Sequence, residues 1–184
     1  MKIAIISASV RLNRKSHRVA LYLKSRLEKT DSTEVELIDL AEFNFPIFEE
    51  RLSQIPNPSP EMLSFAASIR NADGVIVVSP EYNGGYPASL KNVIDLLYAE
   101  WKRKPVAIST VSAGPFGGSQ VITSLQFSLW KMGALTVPAM FPVASVEKSF
   151  NEEGIATDPE ATERRAGKFV NELTYWIKAK QHTA

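Results

Sequence analysis

The sequence predicts a three-layer α/β fold: a doubly wound sheet of five parallel strands with helices on both faces. Three observations point there. Short apolar runs rich in β-branched residues alternate with helix-period segments along the whole chain. The runs are apolar on both faces, as strands of a parallel sheet are. Three loops bearing Ser, Gly, Pro or cationic residues fall where a strand gives way to a helix.

The elements follow in order. Ile3 to Ile6 reads as a buried first strand. Ser16 to Leu27 is helical, with Val19, Ala20, Leu23 and Leu27 on one stripe. Val35 to Leu40 is the second strand. Phe43 to Pro60 is a long, Pro-bearing connection, and loops of that length in compact domains are often functional or interface-forming. Pro60 to Ile69 has Met62, Leu63, Phe65, Ala66 and Ile69 at helical spacing. Asp73-Gly74 turns the chain into the third strand, Val75 to Val78. A helix begins near Ala88, with Leu90, Val93, Ile94 and Leu97 inward and Tyr98 at its edge. Pro105 to Val111 is the fourth strand, with Pro tolerated at its start. Val121, Leu125, Leu129 and Met132 mark a helix from Val121 to Met132, and Ala134 to Pro138 is a short fifth strand. Asp158 caps the last helix and Pro159 is its first residue, with a stripe of Ala166, Phe169, Val170, Leu173, Trp176 and Ile177. His182 is expected in a frayed tail. Right-handed crossovers and five strands give the order 2-1-3-4-5, the flavodoxin-like arrangement, with a ligand crevice between strands 1 and 3. No repeat or linker divides the chain, so residues 1–184 are expected to form one domain.

Composition narrows the function. Lys plus Arg number 21 against 20 Asp plus Glu, and a net charge of +1 provides no field for nucleic acid or an anionic membrane. Cysteine is absent, which excludes disulfides, thiolate metal sites and cysteine nucleophiles. The apolar start, Met1 to Ile6, is too short for a signal peptide, and no run approaches a membrane span. A cytoplasmic protein is the expectation, with no nucleic-acid or membrane partner.

The loop after the first strand, Ser7-Ala8-Ser9-Val10-Arg11-Leu12-Asn13-Arg14-Lys15-Ser16-His17-Arg18, runs hydroxyls and cations into a helix N-terminus. Unpaired N–H groups and the helix dipole favour an anion there. Ser9 and Ser16 can donate to it, and Arg11 can add a bidentate contact. The loop lacks both the Gly-x-Gly-x-x-Gly and the Gly-Lys-Ser/Thr signatures, which points to a terminal monophosphate. Ser16 has a second reading as a plain helix cap and the cations as a solvated face. His17 reads as a helix-start residue whose backbone faces phosphate, not as an acid–base catalyst.

The other two loops are suited to a flat ring. Pro80-Glu81-Tyr82-Asn83 presents backbone donors and acceptors in a rigid array, with Tyr82 to flank a ring and Gly84-Gly85 to let the chain turn. Ser112-Ala113-Gly114-Pro115-Phe116-Gly117-Gly118 allows close backbone approach. Phosphate at one end and a polar-edged ring at the other describe FMN.

At this point the chain resembles the NADPH-dependent FMN reductase family, which includes quinone, azo-dye and chromate reductases. The resemblance rests on Ser9-x-Arg11 with Ser16, on Pro80-Glu81-Tyr82-Asn83-Gly84-Gly85-x-Pro87-x-x-Leu90-Lys91-Asn92-x-x-Asp95, and on Ser112-x-Gly114-x-x-Gly117-Gly118. The first loop is longer than the family's Ser-x-Arg-x-x-Ser form, and Ala88 stands where many members have Gly. The resemblance implies that Ser9, Arg11 and Ser16 hold the FMN phosphate. Pro80, Glu81, Tyr82 and Asn83 would line the ring and ribityl chain, and Ser112, Gly114, Gly117 and Gly118 the ring's other edge. It implies hydride transfer from NADPH or NADH to FMN and then reduction of a quinone, azo compound, metal oxyanion or free flavin by a ping-pong cycle. Arg14, Lys15 and Arg18 are offered to a 2′-phosphate. It further implies a homodimer or homotetramer, with Leu97, Tyr98, Trp101 and the segment around Phe48 either as the offered contact or as ordinary packing of a helix onto its own sheet. A flavodoxin-like electron carrier and a flavin-holding redox sensor or interaction protein are the alternatives. No side-chain nucleophile or metal site is nominated.

Overall fold

A computed structural model describes residues 1–182. Its sheet has five parallel strands in the order β2-β1-β3-β4-β5. These are β1 Lys2–Ser7, β2 Glu34–Asp39, β3 Gly74–Pro80, β4 Pro105–Val111 and β5 Leu135–Met140. The helices are α1 Ser16–Glu28, α2 Leu40–Phe43, α3 Pro60–Asn71, α4 Ala88–Leu96, α5 Ser119–Lys131, α6 Val146–Ser149 and α7 Pro159–His182. The strand order is the expected flavodoxin-like one.

Every residue of β3 and β4 is buried. Alternate side chains of the central strands leave the sheet on opposite faces. Ile3, Ile5, Ile76 and Val78 pack with α1 and α7 through Leu23, Phe169 and Leu173. Ala4, Ile6, Val75 and Val77 pack with α3, α4 and α5 through Phe65, Leu90 and Leu125. The sequence therefore shows no alternation, since both faces are covered.

Several boundaries differ from expectation. β3 continues through Ser79 and Pro80, with Pro80 paired in register to Val111, because Pro at a strand's last position disturbs little of the ladder. β5 runs past Pro138 to Met140 and slips in register between Val106 and Ile108. An edge strand with an irregularity tolerates a residue that cannot donate. The one-turn helices α2 and α6 carry too few residues for a periodic signal. Asp158 does cap α7, with Oδ1 accepting from Ala161 N at 3.0 Å. His182 is helical, within α7, and its Nδ1 lies 2.7 Å from the Lys178 carbonyl.

The long connection is held by α4. Asn92 Oδ1 accepts from Phe48 N at 2.6 Å, and its Nδ2 donates to the Pro46 carbonyl at 2.7 Å. Phe43 and Phe45 stack at its start, and Phe65 of α3 meets both rings edge-on. Leu97 and Trp101, offered as a subunit contact, are in the core, and Trp101 Nε1 donates to the Ile94 carbonyl at 3.1 Å.

Candidate functional site

The carboxyl ends of β1, β3 and β4 open into one cavity of about 600 Å³, within the size range of small-molecule sites. Ser9, Arg11, Ser16, Pro80, Glu81, Tyr82, Ser112, Gly114 and Gly118 all line it. Three loops far apart in sequence meet here because parallel strands end on the same side of the sheet.

Ser16 carries the clearest chemical demand. It is the first residue of α1, 3% exposed, and its N-cap neighbour Lys15 makes no side-chain cap bond. Its Oγ is buried and, among the described residues, has no hydrogen-bond partner. Ser16 thus does not act as a helix cap. An unpaired buried hydroxyl is costly, and one at a helix N-terminus facing a cavity is suited to an anion's oxygen. Arg11 stands at the same wall. Its guanidinium carbon is 5.3 Å from the Tyr82 ring centroid, in cation–π contact. These residues fit the phosphate of FMN.

The first two loops are tied together. Ser9 is 1% exposed, and its Oγ is 2.5 Å from the Tyr82 hydroxyl. Tyr82 in turn opens a tight turn, in which Tyr82 N donates to the Gly85 carbonyl at 2.8 Å and Gly85 N to the Tyr82 carbonyl at 3.1 Å. Asn83 and Gly84 occupy its centre with φ of 52° and 80°, the left-handed conformation that Asn and Gly tolerate best. Both lie outside the cavity lining, so they shape the loop that presents Tyr82. Glu81 Oε2 accepts from Gln120 N at 3.3 Å, supplying α5 with a cap from another loop.

In the third loop, Gly114 has open space where a side chain would project, whereas Gly118 sits against β4. A Cβ on Gly118 would lie 3.1 Å from Val111 N, and its φ is 73°, so this close approach requires glycine. Gly117 lies outside the lining; its carbonyl accepts from Thr110 Oγ1 at 2.6 Å.

His17 also lies outside the lining. Its Nδ1 is 3.0 Å from Ser7 Oγ and 3.5 Å from Asp39 Oδ2. Burial holds its pKa below the usual histidine value, against the upward pull of Asp39. The cations offered to a 2′-phosphate have protein partners. Arg14 is paired with Asp39, and Arg18 donates to the Phe150 carbonyl at 2.8 Å. Lys15 Nζ is 3.7 Å from a Glu147 carboxylate oxygen.

Sequence reasoning missed Val146 and Glu147, which line the cavity from α6. No pattern in a four-residue helix announces them. It also missed Asp39, an acid at the carboxyl end of a parallel strand, which that position marks for notice.

Residues 1–148 match the family described as NADPH-dependent FMN reductase. An NAD(P)H-dependent FMN reductase of Saccharomyces cerevisiae is 37% identical over 139 residues, spanning 68% of this chain and 72% of its own. A quinone reductase of Pseudomonas putida is 27% identical over 183 residues, spanning 96% of this chain and 94% of its own. The solved structure of the flavoenzyme NAD(P)H:(acceptor) oxidoreductase from Paracoccus denitrificans superposes with a TM-score of 0.77 at 25% identity, covering 97% of each chain. Sequence and fold therefore agree, and the chain belongs to the NADPH-dependent FMN reductase family.

Proposed function

We propose that the protein is an FMN-dependent NAD(P)H oxidoreductase that reduces a small-molecule acceptor of the quinone or azo type. The observation that carries this reading is the buried, unpaired Ser16 hydroxyl at the start of α1, in a cavity walled by all three loops. Ser9, Ser16, Arg11 and the first turn of α1 hold the phosphate. Tyr82 flanks the ring, Pro80 and Glu81 present their backbone to it, and Ser112 with Gly114 keeps the opposite edge clear for close approach, while Gly118 seats that loop against β4. FMN held there would supply the hydride-accepting and electron-donating chemistry between NADPH or NADH and the acceptor, in ping-pong order. The chain's part is to orient the donor and acceptor against one cofactor face and to neutralise the phosphate. No side-chain acid or base is assigned.

The protein also self-associates, as a homodimer or homotetramer, through the face of the long connection. Ile47, Phe48 and Tyr98 are exposed apolar side chains there, and Arg51 lies 4.6 Å over the Tyr98 ring.

The test is a visible spectrum of the purified protein after reconstitution with FMN, followed by anaerobic NADPH or NADH and then menadione. The expected result is a flavin spectrum that bleaches with the donor and returns with the acceptor. Protein that cannot be loaded with FMN would sink the proposal. Loaded protein that bleaches only when a separate reductase is added is an electron carrier and not this enzyme.

A further inference from the structure

The anion loop, residues 7–16, contains no glycine, and its path is held from behind. Asp39 is the last residue of β2 and is 5% exposed. Both terminal nitrogens of Arg14 donate to its two carboxylate oxygens, and Arg14 Nη1 also donates to the Ser9 carbonyl at 3.0 Å. Asp39 Oδ1 accepts from Ala41 N at 3.1 Å, at the first turn of α2. Its Oδ2 is 3.5 Å from His17 Nδ1, the nitrogen that also meets Ser7 Oγ at 3.0 Å. One buried carboxylate thus gathers β1 through Ser7, the loop through Ser9 and Arg14, and the first turn of α1 through His17.

The geometry points to Arg14 and Asp39 as a positioning clamp for the phosphate loop. The inference rests on the reading of this loop as the FMN phosphate site. Ser9 and Ser16 read the phosphate only if the backbone between them keeps its shape. The clamp sets that shape by fixing the Ser9 carbonyl at one end and His17, next to Ser16, at the other. A planar guanidinium matched to a carboxylate supplies both strength and direction, which a lysine does not. Arg14 lines the cavity, but its charge is answered by Asp39, so Arg11 is the cation that meets the phosphate. The clamp takes the place of the glycine-rich turn that other phosphate loops use.

Riboflavin, which has the ring without the phosphate, separates this role from general stability. The test measures FMN and riboflavin affinities of flavin-free protein for the wild type, Arg14→Gln, Asp39→Asn and the double variant. Each single change is expected to weaken FMN by about tenfold or more. Riboflavin should stay within about twofold, and the double variant should bind FMN no worse than the singles, because either change alone opens the clamp.

FMN binding that tightens in Asp39→Asn would overturn the inference, since it would mean that a released Arg14 grips the phosphate itself. Equal losses of both flavins with a lowered melting temperature would show a merely structural pair and overturn it too. Should Asp39→Asn not fold, Arg14→Gln and Arg14→Lys decide the matter at a side chain that is 20% exposed. A lysine that preserves the FMN preference would show that the fork is not needed. A wild-type protein that binds riboflavin as tightly as FMN would instead overturn the phosphate-site reading, a failure visible before any variant is made.

Discussion

At the scale of single residues, the site is defined by where hydroxyls find partners. Ser9 has the Tyr82 hydroxyl, Ser112 Oγ donates to the Gly114 carbonyl at 2.9 Å, and Ser16 Oγ has none among the described residues. Removing an unsatisfied buried group costs the empty protein nothing, whereas it deprives a bound phosphate of a donor. Ser16→Ala should therefore leave the flavin-free protein as stable as the wild type or up to about 1 kcal/mol more so. The same change should weaken FMN binding about tenfold. Paired thermal melts and flavin-fluorescence titrations read both effects, and an FMN affinity that does not change would remove Ser16 from the site.

At the scale of elements, the approach to β4 depends on an unusual lysine. Lys104, just ahead of that strand, is 5% exposed. Its Nζ donates to the Arg70 carbonyl at 3.1 Å and to the Ala72 carbonyl, both at the carboxyl end of α3, where helix carbonyls lack partners of their own. Burial pulls its pKa down to about 8, helped by Lys180 and opposed by Asp73. Between pH 8 and about 10.5 the unfolded chain holds this proton and the folded one does not, so stability rises with pH across that window. The gain is lost as pH falls through 8 and the buried amine must carry charge. Urea unfolding of the wild type and Lys104→Met from pH 7.5 to 9.5 should show a stability difference that moves in favour of the wild type as pH rises. A difference that is flat with pH would contradict this.

At the scale of the whole molecule, the sheet's carboxyl edge gathers the loops and the cavity, while a separate exposed apolar face runs along the long connection beside α4. Among the described residues no helix is long and apolar enough to cross a membrane. Ile47 is 88% exposed and Tyr98 43%, on the connection and beyond α4, while Leu97 and Trp101 are buried. If that face joins subunits, sedimentation equilibrium should give a dimer or tetramer. Ile47→Glu with Tyr98→Glu should then yield monomers with unchanged circular dichroism. A monomeric wild type would end the idea.

Much of this was legible in the chain. Strands buried on both faces are written as runs such as Val75-Ile76-Val77-Val78, because parallel pairing leaves neither face to water. The helices with full stripes were equally readable, since burial on one side imposes the 3.6-residue period. Residue order was also enough to place Ser9, Arg11, Ser16, Pro80 to Tyr82, Ser112, Gly114 and Gly118 at strand ends, and so to expect one site. Tertiary structure alone decided which neighbours in sequence face the cavity. Ser16 faces it while His17 turns to Ser7 and Asp39, and Tyr82 faces it while Asn83 and Gly84 only turn the chain. It alone brought Glu147 to the wall and set Arg14 on Asp39, 25 residues away. Periodicity records what a residue's own element buries; which distant group answers a charge depends on how the elements pack, and no local pattern in the chain encodes that.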